Sequence, residues 1–171
     1  MIEKGKKLLL LIIKGEHKMN EILNSLETLI SQRKAEEEQF EKELVWYNKV
    51  KELSSSNVFT ITRKPSVGVS KFDHYNNIVN EAYLKTTSIR AKYFIVAANW
   101  LPIFSFAADF EMARTMPIQG SYVAGTYKGL PIIVSPCLGS FEMICGAESD
   151  MPTYDIENID TNKFILLKLE D

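Results

Sequence analysis

Cysteine and histidine are scarce in this chain, with two of each in 171 residues. Cys137 and Cys145 cannot build a disulfide framework, and two reduced thiols imply an intracellular place of synthesis. His17 and His74 lie far apart, with no Cys or His at ligand spacing, so no metal site is expected. Charge of one sign is also lacking. Twenty Lys+Arg stand against 22 Asp+Glu, a net charge of -2, which gives no strong field for nucleic acid or an anionic membrane. Long hydrophobic runs are missing too. Leu8–Ile13 after Lys4, Lys6 and Lys7 imitates a signal peptide, but no small-residue cleavage site follows. The longest uncharged stretch, Tyr93–Ala108, falls short of the roughly 20 residues of a membrane span. What remains is an apolar fraction of 46% and a charged fraction of 25%, the composition of one ordinary globular domain rather than a fibre, a disordered tail or a disulfide miniprotein.

Apolar residues at helical spacing, Ile22, Leu26, Leu29 and Ile30, then Phe40, Leu44 and Tyr47, predict a helix over Lys18–Leu53. No Gly or Pro occurs between Glu16 and Pro65. The polar middle, Gln32–Gln39, argues against a sustained heptad coiled coil and for two amphipathic halves with a solvated waist. Such a helix is expected to lie along another surface, that of a second subunit included, outside the domain that follows. Val58–Thr62 reads as a short strand. Ser70 with Asp73 opens a helix reaching about Ser88, with Ile78, Val79, Ala82 and Tyr83 inward and His74 on the surface of its first turn. Tyr93–Ala97 reads as a central strand. Asn99 is expected to cap a buried helix, with Pro102 in its first turn, running to about Met112.

The last third reads as strands and turns. Tyr122–Tyr127 and Leu130–Ser135 flank a Lys128–Gly129 turn. Gly139–Ser140 is expected to turn the chain into Phe141–Cys145, opposing Cys137 to Glu142 and Cys145 to Val134. Met151–Thr161 is an acidic linker, and Phe164–Leu169 a final strand. The fold class is therefore α+β: a long N-terminal helix plus a mixed β-sheet flanked by helices. Its divisions are 1–62, helix and short strand; 63–150, an α/β domain containing Phe94, Ile133 and Met143 in one sheet; and 151–171, linker and last strand.

Patterns that could carry chemistry are thin. Gly120 and Gly125 have phosphate-loop spacing, but Thr126–Tyr127 stands where Lys and Ser/Thr are needed. Asp155, Glu157 and Asp160 lack the glycine and terminal glutamate of a calcium loop. No Gly-x-Ser-x-Gly elbow is present. A pairing of Cys137 or Cys145 with His74 is conceivable, but thiols in apolar hairpin sequence are usually inert packing. Basic groups such as Arg63–Lys64 and Arg90/Lys92 are not interleaved with aromatics and read as solvated surface. The aromatics of Phe94–Phe110 read as core before they read as a ligand pocket.

One resemblance stands above this background. Lys64–Ser70 leads into a helix bearing Asn77–Ala82 and ending at Lys85-Thr86-Thr87. Arg90–Val96 follows, then a segment through Leu101 and Phe104. Ala124–Pro136 runs through Gly125, Gly129 and a β-branched strand to a proline, and Phe141–Gly146 continues it. In that order, these four pieces resemble the central part of a tailed-bacteriophage major capsid protein, over about half the chain. Asn99-Trp100 departs from the proline or serine expected there.

The resemblance implies an axial domain over Ser70–Gly146 packed around the centre of a pentamer or hexamer. The long helix and the last strand would belong to a peripheral domain. It implies a structural protein of the virion, made in the bacterial cytoplasm, that self-assembles into capsomers and encloses viral DNA without reading its sequence. It implies no catalysis, cofactor, membrane or small-molecule substrate. Family members are longer, with an N-terminal arm and an extended loop, so a fragment, a truncated copy or a start upstream is expected. The subunit-interface candidates are Phe40, Leu44 and Tyr47 on the helix, and the turn tips Lys128, Gly129, Gly139 and Ser140. The alternatives are a small non-enzymatic adaptor that docks a partner helix on an exposed Phe40, Leu44 and Tyr47 face, and a cysteine-dependent enzyme.

Overall fold

The computed structural model describes residues 2–65, 67–113 and 121–171. Gly120, one of the two glycines at phosphate-loop spacing, lies outside the described residues. The fold is mixed α/β: a long N-terminal helix and a seven-stranded mixed sheet flanked by helices.

Helix α1 spans Ile2–Leu53, sixteen residues earlier than periodicity suggested. The Leu8–Ile13 run is thus helical, as are Gly5 and Gly15. Each glycine costs about 1 kcal/mol relative to alanine, less than a proline would, and 52 residues of cooperative helix absorb it. Local bonds help, such as the His17–Glu21 pair at 3.1 Å one turn apart. The chain divides into two compact units, Met1–Gln39 and Phe40–Asp171. In the first, every described residue is exposed.

In the second unit the strands are β1 (Val58–Thr62), β2 (Tyr93–Val96), β3 (Phe110–Met112), β4 (Tyr122–Tyr127), β5 (Leu130–Val134), β6 (Glu142–Gly146) and β7 (Phe164–Glu170). Their order in the sheet is β1-β7-β6-β2-β5-β4-β3. The β1–β7 and β2–β5 pairs are parallel and the rest antiparallel. Phe94, Ile133 and Met143 share this sheet, as the sequence suggested. Strand β2 is central and buried along its whole length, as a continuous apolar run requires.

Register separates the two faces. Tyr93, Gly146 and Phe164 stand opposite one another, and Phe164 packs edge-on against Trp46 of α1, with ring centroids 5.5 Å apart. Phe94 and Cys145 point the other way, toward Phe104 of α3 (Leu101–Ser105). Helix α2 (Lys71–Thr86) covers that same face, touching β1, β7 and α3. Its cap is the expected one: the Ser70 hydroxyl accepts the Asp73 N–H at 3.1 Å. The end of α1 is therefore not outside the sheet-bearing unit, since Trp46, Tyr47 and Val50 are buried in it.

Two further expectations fail. The helix predicted from Asn99 to Met112 is one short turn of 3-10 helix plus α3, after which Phe110–Met112 pairs with β4 as the outermost strand. Pro102 permits a helix start but cannot extend one, and Phe110 gains more by joining the sheet beside Tyr127. Asn99 also does not cap through its side chain; its carboxamide turns to the Ser140–Phe141 loop. The supposed hairpin at Gly139–Ser140 is the other failure. β5 and β6 are not neighbours, because β2 lies between them, so Cys145 opposes Phe94 rather than Val134. The most apolar strand takes the centre, where both of its faces are buried.

Candidate functional site

The expected interface residues fall into two groups. Lys128–Gly129 joins β4 to β5 with φ of 49° and 80°, both left-handed, the geometry of a tight two-residue hairpin. The Lys128 ammonium lies 4.6 Å from the Tyr83 ring centroid and 3.9 Å from Asp109. Since β5 runs parallel to β2, this turn lies at the end of the sheet where β2 begins. The loop from Ser135 to Phe141 lies at the end where β2 finishes. The two tips therefore stand at opposite ends of the sheet.

The second end carries most of the polar structure. Ser140 Oγ accepts from the Asn99 side chain at 3.1 Å, while Asn99 Oδ1 accepts the Phe141 N–H at 2.9 Å. These bonds hold Phe141 at φ 58°, a left-handed conformation costly for an aromatic residue. Its ring lies 4.4 Å from the Arg63 guanidinium carbon, and Arg63 donates to Asp171 at 2.9 Å. Next to it opens a cleft of about 680 Å³ bordered by Arg63, Lys71, His74 and Asn99. His74 is half-buried rather than on the surface as expected; its Nε2 donates to the Arg63 carbonyl at 2.5 Å. Lys51 pairs with Glu142 at 2.5 Å just beyond Gly139.

Phe40, Leu44 and Tyr47 do not form an exposed face. Phe40 is exposed and Leu44 half-buried, but Tyr47 is fully buried against Trp46 and Tyr154. Around Tyr47 sits a polar knot that no sequence motif announced. The Ser121 hydroxyl donates to Glu43 at 2.5 Å, and Ser135 accepts the Cys137 N–H. The Tyr47 hydroxyl lies between Ser135 and Tyr154 without a well-formed hydrogen bond. Burial pushes the Tyr47 phenol well above its ordinary range, and burial with the Glu43 carboxylate pushes Tyr154 up to about 12. A second knot joins Tyr93 to both carboxylate oxygens of Glu148 at 2.5 Å, and burial raises the Glu148 carboxyl. Only glycine fits at 146, because a Cβ there would strike the Tyr93 hydroxyl.

Burial also raises both thiols, Cys145 most, which keeps them protonated and poorly nucleophilic at neutral pH. Cys137 lies by the Phe40 carbonyl and Ser135, while His74 lies by Arg63, so the imagined pair does not meet. Among the described residues no group of three His, Cys, Asp or Glu side chains is placed to hold a metal ion. No described helix is long and apolar enough to cross a membrane. No family model, curated protein or solved structure matches the chain.

Proposed function

We propose that the chain is a major capsid subunit of a tailed phage or prophage, a structural protein of the virion that works by self-assembly into pentamers and hexamers. The observation that supports this best is where the four capsid-like segments go. Spread along residues 63–146, they contribute α2, the β2 core, the β4–β5 hairpin and β6 to a single sheet unit. On this reading the unit is an axial-like domain, and the buried aromatic end of α1 and β7 are the peripheral-like part. Lys128–Gly129 and Gly139–Ser140, being at opposite ends of the sheet, serve contacts with different neighbours. Rings and shells need such heterologous contacts. The shell would enclose DNA through packing between subunits, consistent with the balanced charge.

The adaptor alternative loses the docking face it was built on, since Tyr47 is core. Electron microscopy and sedimentation of the purified chain at high concentration test the capsid reading. Five- or six-fold rings or closed particles are expected. A chain that forms neither over the whole concentration range overturns it.

A further inference from the structure

The first unit, Met1–Gln39, is helical wherever it is described, and none of its described side chains is buried. Most of its apolar residues are nevertheless ordered, Leu10, Leu11 and Ile13 being the exceptions within the all-apolar Leu8–Ile13 run. Once Ile2–His17 is helical, Leu8, Ile12, Met19, Ile22, Leu26 and Leu29 occupy alternating steps of four and three, interrupted only by Gly15. Leu9, Leu23 and Ile30 widen the same stripe along one side. These nine side chains are between 49% and 66% exposed. The polar stretch that argues against a sustained heptad begins only at Gln32, after the stripe has ended.

We propose that this stripe is a self-association surface and that its occupant is the same helix of a second copy, running antiparallel. Length allows a continuous contact, since Leu8 to Ile30 spans about 33 Å of helix. Charge selects the orientation. Residues 1–18 hold five lysines against Glu3 and Glu16, a net +3, whereas residues 19–39 hold five glutamates against Arg33 and Lys34, a net -3. A parallel pair sets like halves side by side. An antiparallel pair sets each basic half against an acidic one, which lowers the repulsion and fixes the direction. In a register that faces Met19 with Ile22, Ile12 meets Leu29. The proposal does not depend on the capsid reading, which concerns the sheet-bearing unit.

Light scattering on the full chain at micromolar concentration should give twice the 19.5 kDa chain mass. The double variant Ile22→Glu/Leu26→Glu should give the chain mass with an unchanged near-ultraviolet spectrum, because neither residue lies in the sheet-bearing unit. In a Cys137→Ser background, Ile12→Cys and Leu29→Cys chains co-expressed, purified together and oxidised with diamide should form a mixed disulfide. Ile12→Cys alone should form none, since an antiparallel pair holds the two copies of residue 12 about 25 Å apart. A monomeric wild-type chain overturns the proposal. So does an Ile12→Cys homodisulfide, which means a parallel pair, or a monomer that pellets with phosphatidylcholine–phosphatidylglycerol vesicles, which means a lipid occupant. A dimer that forms no rings or shells leaves the pairing standing and counts against the capsid reading alone.

Discussion

Tyr47, Tyr93 and Tyr154 are long aromatic side chains whose hydroxyls were drawn inside with their rings. The rings fill the space between α1 and the sheet, Trp46 stacking edge-on with Tyr47, Tyr154 and Phe164 at 5.2, 5.2 and 5.5 Å. The Tyr93 hydroxyl finds Glu148 and Tyr154 lies beside Glu43, while the Tyr47 hydroxyl stays buried without a well-formed hydrogen bond. All three phenols are raised above 10.0, mainly by desolvation. The sign of the consequence is fixed. Their stabilisation is fully present below the unfolded value near 10.0 and is lost as pH rises through the higher folded values. The urea midpoint is therefore expected to fall between pH 10 and 12, with a smaller fall in Tyr154→Phe. A midpoint flat to pH 12 would show that these hydroxyls are hydrated. The sequence pattern placed Tyr47 on a helix but could not show this burial, because helical spacing alone does not say which face is covered.

At the scale of elements, local chemistry and long-range pairing divide the work. Ser70 opens α2 and Lys128–Gly129 closes the β4–β5 hairpin through rules confined to four residues. These were legible in advance for that reason. Gly129 has open space around its Cα, so only its φ of 80° matters there. Gly129→Ala is expected to cost about 1 kcal/mol in denaturant unfolding without altering the near-ultraviolet spectrum. The Gly139–Ser140 turn was equally plausible in sequence and yet joins strands that are not neighbours. Whether a turn makes a hairpin depends on what fits between its arms. Here β2, with Tyr93–Val96 buried on both faces, displaces β6 from β5. The same competition converts Phe110–Met112 from the end of a helix into an edge strand.

At the scale of the molecule, the two units differ in what stabilises them. Phe40–Asp171 has a continuous core from Trp46 to Leu169, with the end of α1 and α2–α3 covering opposite faces of one sheet. Among its described residues Met1–Gln39 has none of its own. A chain starting at Gln39 is therefore expected to unfold cooperatively with a midpoint stability within about 0.5 kcal/mol of the full chain. It should also lose the dimer. Loss of cooperative unfolding in that variant would mean that the sheet unit depends on the helix before it.

Taken alone, the sequence determined the α+β class, the central β2, the cap of α2 and the Lys128–Gly129 hairpin. Each rests on local periodicity or on turn stereochemistry, which act within a few residues. Only the tertiary structure decided the strand order, the burial of Tyr47, the half-buried His74, the Glu43 and Glu148 knots and the separation of the two turn tips. Those depend on which apolar surfaces compete for the same neighbour, a long-range question that spacing along the chain does not encode.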